Sequence, residues 1–193
     1  MLQQFKTLIE KNRSYRRYQQ NFLVDYQVLE DLVSLAGLSA STANKQPLKY
    51  VISNKVQTNR QIFSTLAWAA YLKDWPGPAE GEKPSAYIII LGDTGISNNF
   101  GVDSGIAAQS ILLGAAQIGL GGCILASIQR NKLREALGIP ELYEILLVIA
   151  IGKPKETVVL ETVQDGNIRY WRDSEGRHHV PKRPLKEIIL NHD

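Results

Sequence analysis

Arg13-Ser14-Tyr15-Arg16 puts two fixed positive charges and a hydroxyl within four residues. Ser41-Thr42-Ala43-Asn44-Lys45-Gln46-Pro47 puts a hydroxyl and two carboxamides just ahead of a proline. A guanidinium grips phosphate oxygens through a planar fork, and serine adds a neutral donor. Carboxamides offer donor and acceptor together, which suits the carbonyl–imide–carbonyl edge of a flat heterocycle. Together the segments suggest bound flavin mononucleotide (FMN). Taken singly, the first reads as a solvated basic helix end, Arg17 included, and the second as a polar turn. Their order adds weight: polar loop, proline, then strand sets Asn44 and Gln46 at a strand entrance, where side chains are held firmly.

Lys182 and Arg183, between Pro181 and Pro184, form a rigid basic pair. They add charge to the same phosphate if the tail folds back, and otherwise form an exposed surface pair. Adjacent strand residues face opposite ways, so His178 and His179 cannot easily share an ion and are expected at the surface. Gly119-Leu120-Gly121-Gly122-Cys123-Ile124 fails as a dinucleotide fingerprint, since Ile124 replaces the third glycine and a helix precedes it. It reads instead as a tight helix exit that brings backbone close to something, or as a simple turn. Cys123 sits in an apolar, uncharged context that gives no reason for a depressed pKa. No Gly-x-Ser-x-Gly elbow is present. No side-chain nucleophile, acid–base pair or metal site is expected.

The elements that position these residues follow from periodicity. Leu2–Asn12 reads as a short helix delivering the chain to Arg13. Tyr26–Ala36 reads as a second, with Val28, Leu29, Leu32, Val33 and Leu35 as its buried stripe. Asp25 suits its N-cap and Gly37 its stop. Lys49–Ser53 is expected as a strand, Gln61–Trp75 as an unusually aromatic helix, and Pro76–Gly81 as an exposed loop. Tyr87–Leu91 and Ile145–Ile151 are apolar runs expected as central strands. Asp103–Ile118 is a helix apolar all round and therefore expected in the middle of the fold. Leu133–Leu137 reads as a short helix. In the tail, Thr157–Val163, Ile168–Trp171 and His178–Val180 are strand-like pieces joined by the hairpin signals Asp165-Gly166 and Asp173–Gly176. Leu185–Leu190 closes as a short helix or an edge strand. Helices and strands mix without clean βαβ alternation, so the fold class is α+β: a mostly antiparallel central sheet flanked by helices, with a C-terminal hairpin extension.

With 193 residues, 44% hydrophobic and 21% charged, the chain is expected to be one domain over residues 1–193. A net charge of +3 without runs of like charge argues against nucleic acid as a partner, as does the lack of aromatic residues interleaved with the basic ones. The uncharged stretch Ser104–Gln129 is broken by glycines and holds Gln109, Ser110 and Gln117, so no membrane span is expected. One cysteine and no apolar leader point to a cytoplasmic protein.

Four motifs in order resemble the nitroreductase family of FMN-dependent NAD(P)H oxidoreductases. Asn12–Tyr18 resembles its opening Arg-Arg-Ser-x-Arg-x-Phe, and Ala40–Leu48 its Pro-Ser-x-x-Asn-x-Gln-Pro-Trp. Asp103–Gln109 through Gly119-Leu120-Gly121 is similar to its central helix and glycine exit, and Val148–Pro154 to its Ile-Gly-x-Pro strand end. Asn12, Ala40 and Leu48 depart from that pattern. The resemblance implies a three-layer fold and an intertwined homodimer with flavin at the interface. Arg13, Ser14 and Arg16, with Lys182 and Arg183, would hold the phosphate side of FMN. Ser41, Asn44 and Gln46 would face the ring, often from the other protomer, and Arg16 would stabilise negative charge on it. Leu125-Ala126-Ser127 would line its reactive edge, and Trp68–Trp75 would govern substrate choice. The implied activity is ping-pong hydride transfer from NADH or NADPH to a small electron-poor acceptor such as a nitroaromatic, quinone or enone. The alternatives are a non-catalytic flavin carrier or sensor, and a divergent flavin reaction such as reductive dehalogenation.

Overall fold

In the computed structural model, which describes residues 1–190, the middle layer is an antiparallel sheet. Its strands are β1 (Leu48–Ser53), β2 (Ala86–Asp93), β3 (Gly121–Leu125) and β4 (Tyr143–Gly152), in the order β1-β2-β4-β3. Every residue of β2 is buried, as a continuous apolar run predicts for a strand covered on both faces. The period of two sorts its side chains: Ala86, Ile88 and Ile90 serve one core, and Tyr87, Ile89 and Leu91 the other.

α1 (Leu2–Lys11), α2 (Tyr26–Gly37) and α4 (Asp103–Gln117) lie on the first face, α3 (Val56–Phe63) and α5 (Arg130–Leu137) on the second. The fold is therefore α+β in three layers. Ala107, Ala108, Ile111, Leu112 and Ala115 of α4 pack into the first core, while Gly105 and Gln109 stay exposed. A single chain thus covers only one side of this apolar helix. Among the described residues no helix is long and apolar enough to cross a membrane.

Several sequence expectations need correction. Leu35, expected in the buried stripe of α2, is exposed, and Gly77 and Pro78 of the expected exposed loop are buried. The predicted helix Gln61–Trp75 ends at Phe63, and turns follow. Ala69 adopts φ +42°, which no right-handed helix accommodates, and each aromatic residue beyond Phe63 anchors elsewhere. Trp68 packs on Phe63, Tyr71 on Tyr170, and Trp75 under the guanidinium of Arg172.

The tail is not a run of hairpins. β5 (Val158–Thr162), β6 (Trp171–Arg172) and β7 (His178–Lys182) form a second sheet in the order β5-β7-β6. β5 runs parallel to β7, and only β6 and β7 make a hairpin, across Asp173–Gly176. Asp165-Gly166 closes a single bridge between Gln164 and Asn167. The short α6 (Leu185–Ile188) follows.

Finally, His178 and His179 are buried, not at the surface. They do face opposite ways: His178 meets Tyr170, and His179 stacks on Trp171 at 4.0 Å.

Candidate functional site

Between α1 and α2 the chain passes through Asn12–Arg17 as a segment outside any helix, laid across the glycine exit of α4. The N–H of Tyr15 donates to the carbonyl of Gly122 at 3.0 Å. Neither glycine there tolerates a side chain. A Cβ on Gly121 would strike the Tyr15 ring, and one on Gly122 would stand 2.5 Å from the carbonyl oxygen of Ala150. Gly121 thus makes room for the Tyr15 ring of the phosphate-candidate segment, and Gly122 for the neighbouring strand β4 and for Leu112 of α4.

That segment and β7 wall a recess of about 290 Å³ lined by Asn12, Arg13, Ser14, Arg16, Tyr170, His178, Val180 and Lys182. Three cations and no acid line it. The structure brings Arg13, Ser14, Arg16 and Lys182 together here. Arg183 lies outside, its Nη1 donating to Glu187 at 3.0 Å.

Glu156 explains how the arginines are held. Its side chain is fully buried. It accepts from the backbone N–H groups of Arg16 and Arg17 and from Nη2 of Arg172 at 3.0 Å. Its charge is therefore spent on the scaffold, leaving the recess positive. Arg17 turns away to Glu82, at 2.6 Å. Arg13 Nη2 donates to the carbonyl of Ile9 at 2.6 Å. Burial lowers the pKa of Arg13 against the opposing pull of Tyr15 and Glu10, as expected of a cation short of solvation.

His178 Nε2 lies 3.1 Å from Nη1 of Arg16. A guanidinium only donates, so Nε2 accepts and the ring proton is assigned to Nδ1. Burial, then the charges of Arg16 and Arg172, push the His178 pKa down to about 4, so the ring is neutral at pH 7. Its Nδ1 has no partner, and neither have the buried Nε atoms of Arg13 and Arg16. Unpaired buried donors are costly. Three of them on residues lining one positive recess fit a compact anion with several acceptor oxygens, and phosphate is such an anion.

The carboxamide loop is organised by Asp103, at the start of α4. Its Oδ1 accepts from the N–H and Oγ1 of Thr42 at 3.0 and 2.6 Å, and its Oδ2 from Ser41 Oγ at 2.5 Å. Burial raises the Asp103 pKa, but these hydrogen bonds outweigh it and hold the carboxyl below its usual value. Ser41 Oγ accepts in turn from the N–H of Gln46 at 2.9 Å. Ala43, Asn44 and Gln46 all adopt φ near +50°. Such a conformation costs on the order of 1 kcal/mol per residue away from glycine. Gln46 Nε2 donates to the side chain of Asn44 at 3.1 Å, and both carboxamides are exposed.

Ser41 and Gln46 line a second recess with Asp103 and Tyr50, and no residue is common to the two. Gly122 packs beside Leu112, more than two turns along α4 from Asp103 and about 13 Å by helical rise. Within one chain the phosphate-side and ring-side candidates do not meet.

The segment beyond β3 has a definite neighbour. Ser127 accepts from the N–H of Ala67 at 3.0 Å, and Gln129 N–H donates to Thr65 at 2.8 Å. The start of the aromatic segment is thereby tied to Leu125-Ala126-Ser127. Sequence reasoning missed Glu156, Asp103, Tyr170 and the burial of His178. No local pattern marks them, because each acts on residues far along the chain.

Residues 9–153 match the family model described as "Nitroreductase family". A relative from Archaeoglobus fulgidus, named "Putative NADH dehydrogenase/NAD(P)H nitroreductase", is 26% identical over 157 residues, spanning 77% of this chain and 84% of that one. A nitroreductase-like protein of Streptococcus mutans superposes with a TM-score of 0.72 at 14% identity, covering 100% of both chains. An FMN-dependent nitroreductase of Clostridium difficile R20291 gives 0.63 at 21% identity, covering 82% of this chain and 91% of that one. At such identities the two structures speak to the fold alone.

Proposed function

Because the chain belongs to the nitroreductase family, we propose that it is an FMN-dependent oxidoreductase that moves hydride from NADH or NADPH to a small electron-poor acceptor, such as a nitroaromatic, quinone or enone. The observation that carries this reading is the recess of Arg13, Ser14, Arg16 and Lys182, rich in unpaired buried donors and free of acids. The FMN dependence and the NAD(P)H activity in the relatives' names support it as well.

Arg13, Ser14 and Lys182 would hold the phosphate. Arg16, fixed by His178, Tyr170 and the buried Glu156, would set a positive charge that does not relax when negative charge develops beside it. When bound, FMN supplies the two-electron carrier. The chain contributes position, electrostatics and exclusion of water, so no side-chain acid or base is needed. Leu125–Ser127 and the aromatic segment tied to it would shape the space for the acceptor.

We assign the ring-side carboxamides Asn44 and Gln46 to the recess of a second copy. Their separation from Arg13–Arg16 within one chain favours this. So do exposed apolar side chains on the same layer, among them Phe5, Leu35, Val102 and Ile118. Light scattering is expected to give a homodimer, and a monomer that keeps FMN would remove the shared site.

The decisive experiment is the visible spectrum of the purified protein, followed by NADH and NADPH oxidation with a panel of acceptors. A flavin spectrum and acceptor-dependent turnover are expected. Protein that stays colourless in excess FMN would overturn the proposal. Bound FMN with no oxidation of either nucleotide would reassign the chain as a flavin carrier.

A further inference from the structure

A third recess, of about 160 Å³, opens where the end of β1 and the start of β2 meet α3. It shares no lining residue with the anion recess or the carboxamide recess. It also lies at the opposite end of β1 from Gln46, some 20 Å away by strand rise.

Its walls are apolar, with Leu23, Val56, Phe63 and Pro84, and two aromatic residues, Phe63 and Tyr87, are among those that line it. Asn54 donates to the carbonyl of Val24 at 3.0 Å, and the other two carboxamides in the lining are spent. Asn59 accepts from Ser53 Oγ and donates to the carbonyl of Ser85, both at 2.8 Å. Gln20 accepts from the N–H groups of Gly81 and Lys83 and donates to Glu80. Two hydroxyls remain. Ser85 Oγ and Tyr87 OH are buried without a partner, on residues only 8% and 1% exposed. A protein that needed these groups merely for packing would lose nothing by carrying alanine and phenylalanine there, and unpaired buried hydroxyls are costly. Burial raises the Tyr87 pKa far above its ordinary value, so the phenol keeps its proton and can donate.

The rim carries charge. Lys83 is occupied by Glu80 at 2.8 Å and by the face of Phe63 at 5.0 Å. Arg60 is exposed and has no ion pair within 4 Å among the described residues, although Glu80 senses its charge. Hydroxyls inside, aromatic walls and a free guanidinium at the mouth define one ligand chemistry. We infer that this recess binds a small aromatic carboxylate carrying an oxygen substituent at the far end, with the oxygen met by Ser85 and Tyr87 and the carboxylate by Arg60.

The probe is 4-hydroxybenzoate, followed by amide chemical shifts on the full chain with FMN in excess. Benzoate and 4-hydroxybenzyl alcohol are the controls, each lacking one end. Saturable shifts at Asn59, Phe63, Ser85 and Tyr87 are expected, with both controls binding at least about fivefold more weakly. Arg60→Gln should bring 4-hydroxybenzoate down to the level of the alcohol. Ser85→Ala with Tyr87→Phe should bring it down to the level of benzoate. Since Arg60 is exposed, its substitution tests the idea even if the double substitution fails to fold. The flavin spectrum should not change on binding. Absence of saturable shifts at these residues, shifts confined to the flavin side, or affinities indifferent to Arg60→Gln would overturn the inference.

Discussion

Arg16 and His178 are 162 positions apart, yet a guanidinium nitrogen of one donates to the imidazole of the other at 3.1 Å. Tyr170 lies beneath the same guanidinium, 4.8 Å from its ring centre, and beside His178. The pair fixes the direction of a cation that also donates to the carbonyl of Ser14 at 3.3 Å and whose buried Nε has no partner. Arg16→Ala should therefore weaken FMN binding by about 2 kcal/mol, roughly thirtyfold, as for loss of one charged hydrogen bond. Fluorescence titration of the apoprotein checks this. Unchanged affinity together with unchanged turnover would exclude Arg16 from the site.

Acid should loosen the fold through His178. Its folded pKa of about 4 lies below the usual 6.5. Between those values the unfolded chain binds a proton that the folded chain refuses. Stability from this group is thus complete above pH 6.5 and is lost as pH falls towards 4. Urea midpoints at pH 7 and pH 4.5 should differ less in His178→Gln than in the parent chain. An equal difference in both would remove His178 as the cause.

Glu156→Gln should cost about 3 kcal/mol of stability in urea unfolding. The change leaves the partly buried Arg172 without its counter-charge and turns amide protons towards backbone N–H groups. FMN binding should weaken with it, because the backbone of Arg16 loses its anchor. A midpoint within error of the parent would mean that the carboxylate does not organise the segment.

Asp103 opposes the strain of three positive φ angles through three hydrogen bonds. In Asp103→Ala the amides of Thr42 and Gln46 should exchange at least about tenfold faster, with a stability loss of about 2 kcal/mol. Native-state hydrogen exchange reads this directly. Protection at Thr42 and Gln46 equal to the parent's would show that the loop holds its shape unaided.

Gly122→Ala should destabilise by about 2 kcal/mol, since the new methyl meets backbone at Ala150 and the side chain of Leu112 on either side. Thermal unfolding is the measurement. A melting temperature equal to the parent's would contradict the close approach.

Much of the fold was legible because its signals are local. The apolar run Tyr87–Leu91 announces a strand covered on both faces, and the stripe of Tyr26–Ala36 announces an amphipathic helix. The aromatic stretch after Phe63 misled for an equally physical reason. Its spacing is compatible with a helix, but Trp68, Tyr71 and Trp75 gain more from partners on other elements, one of them 99 positions away. Likewise Asp165-Gly166 is a genuine turn signal, yet it closes only one bridge, because β5 finds its partner in β7.

By itself the chain's order of residues determined the identity of the donors at 13–16 and 41–46, the two central strands and the main helices on either side of the carboxamide loop, and the glycines that permit close approach at 121–122. Those depend on neighbours a few positions apart. Tertiary structure alone decided that Glu156 would neutralise the scaffold rather than the recess, that Lys182 would join Arg13, and that His178 would be buried and neutral. Each of those outcomes rests on the parallel pairing of β5 with β7, which folds the tail against Arg16. Pairing between distant strands is set by the burial it achieves overall, and no short window of sequence contains that sum.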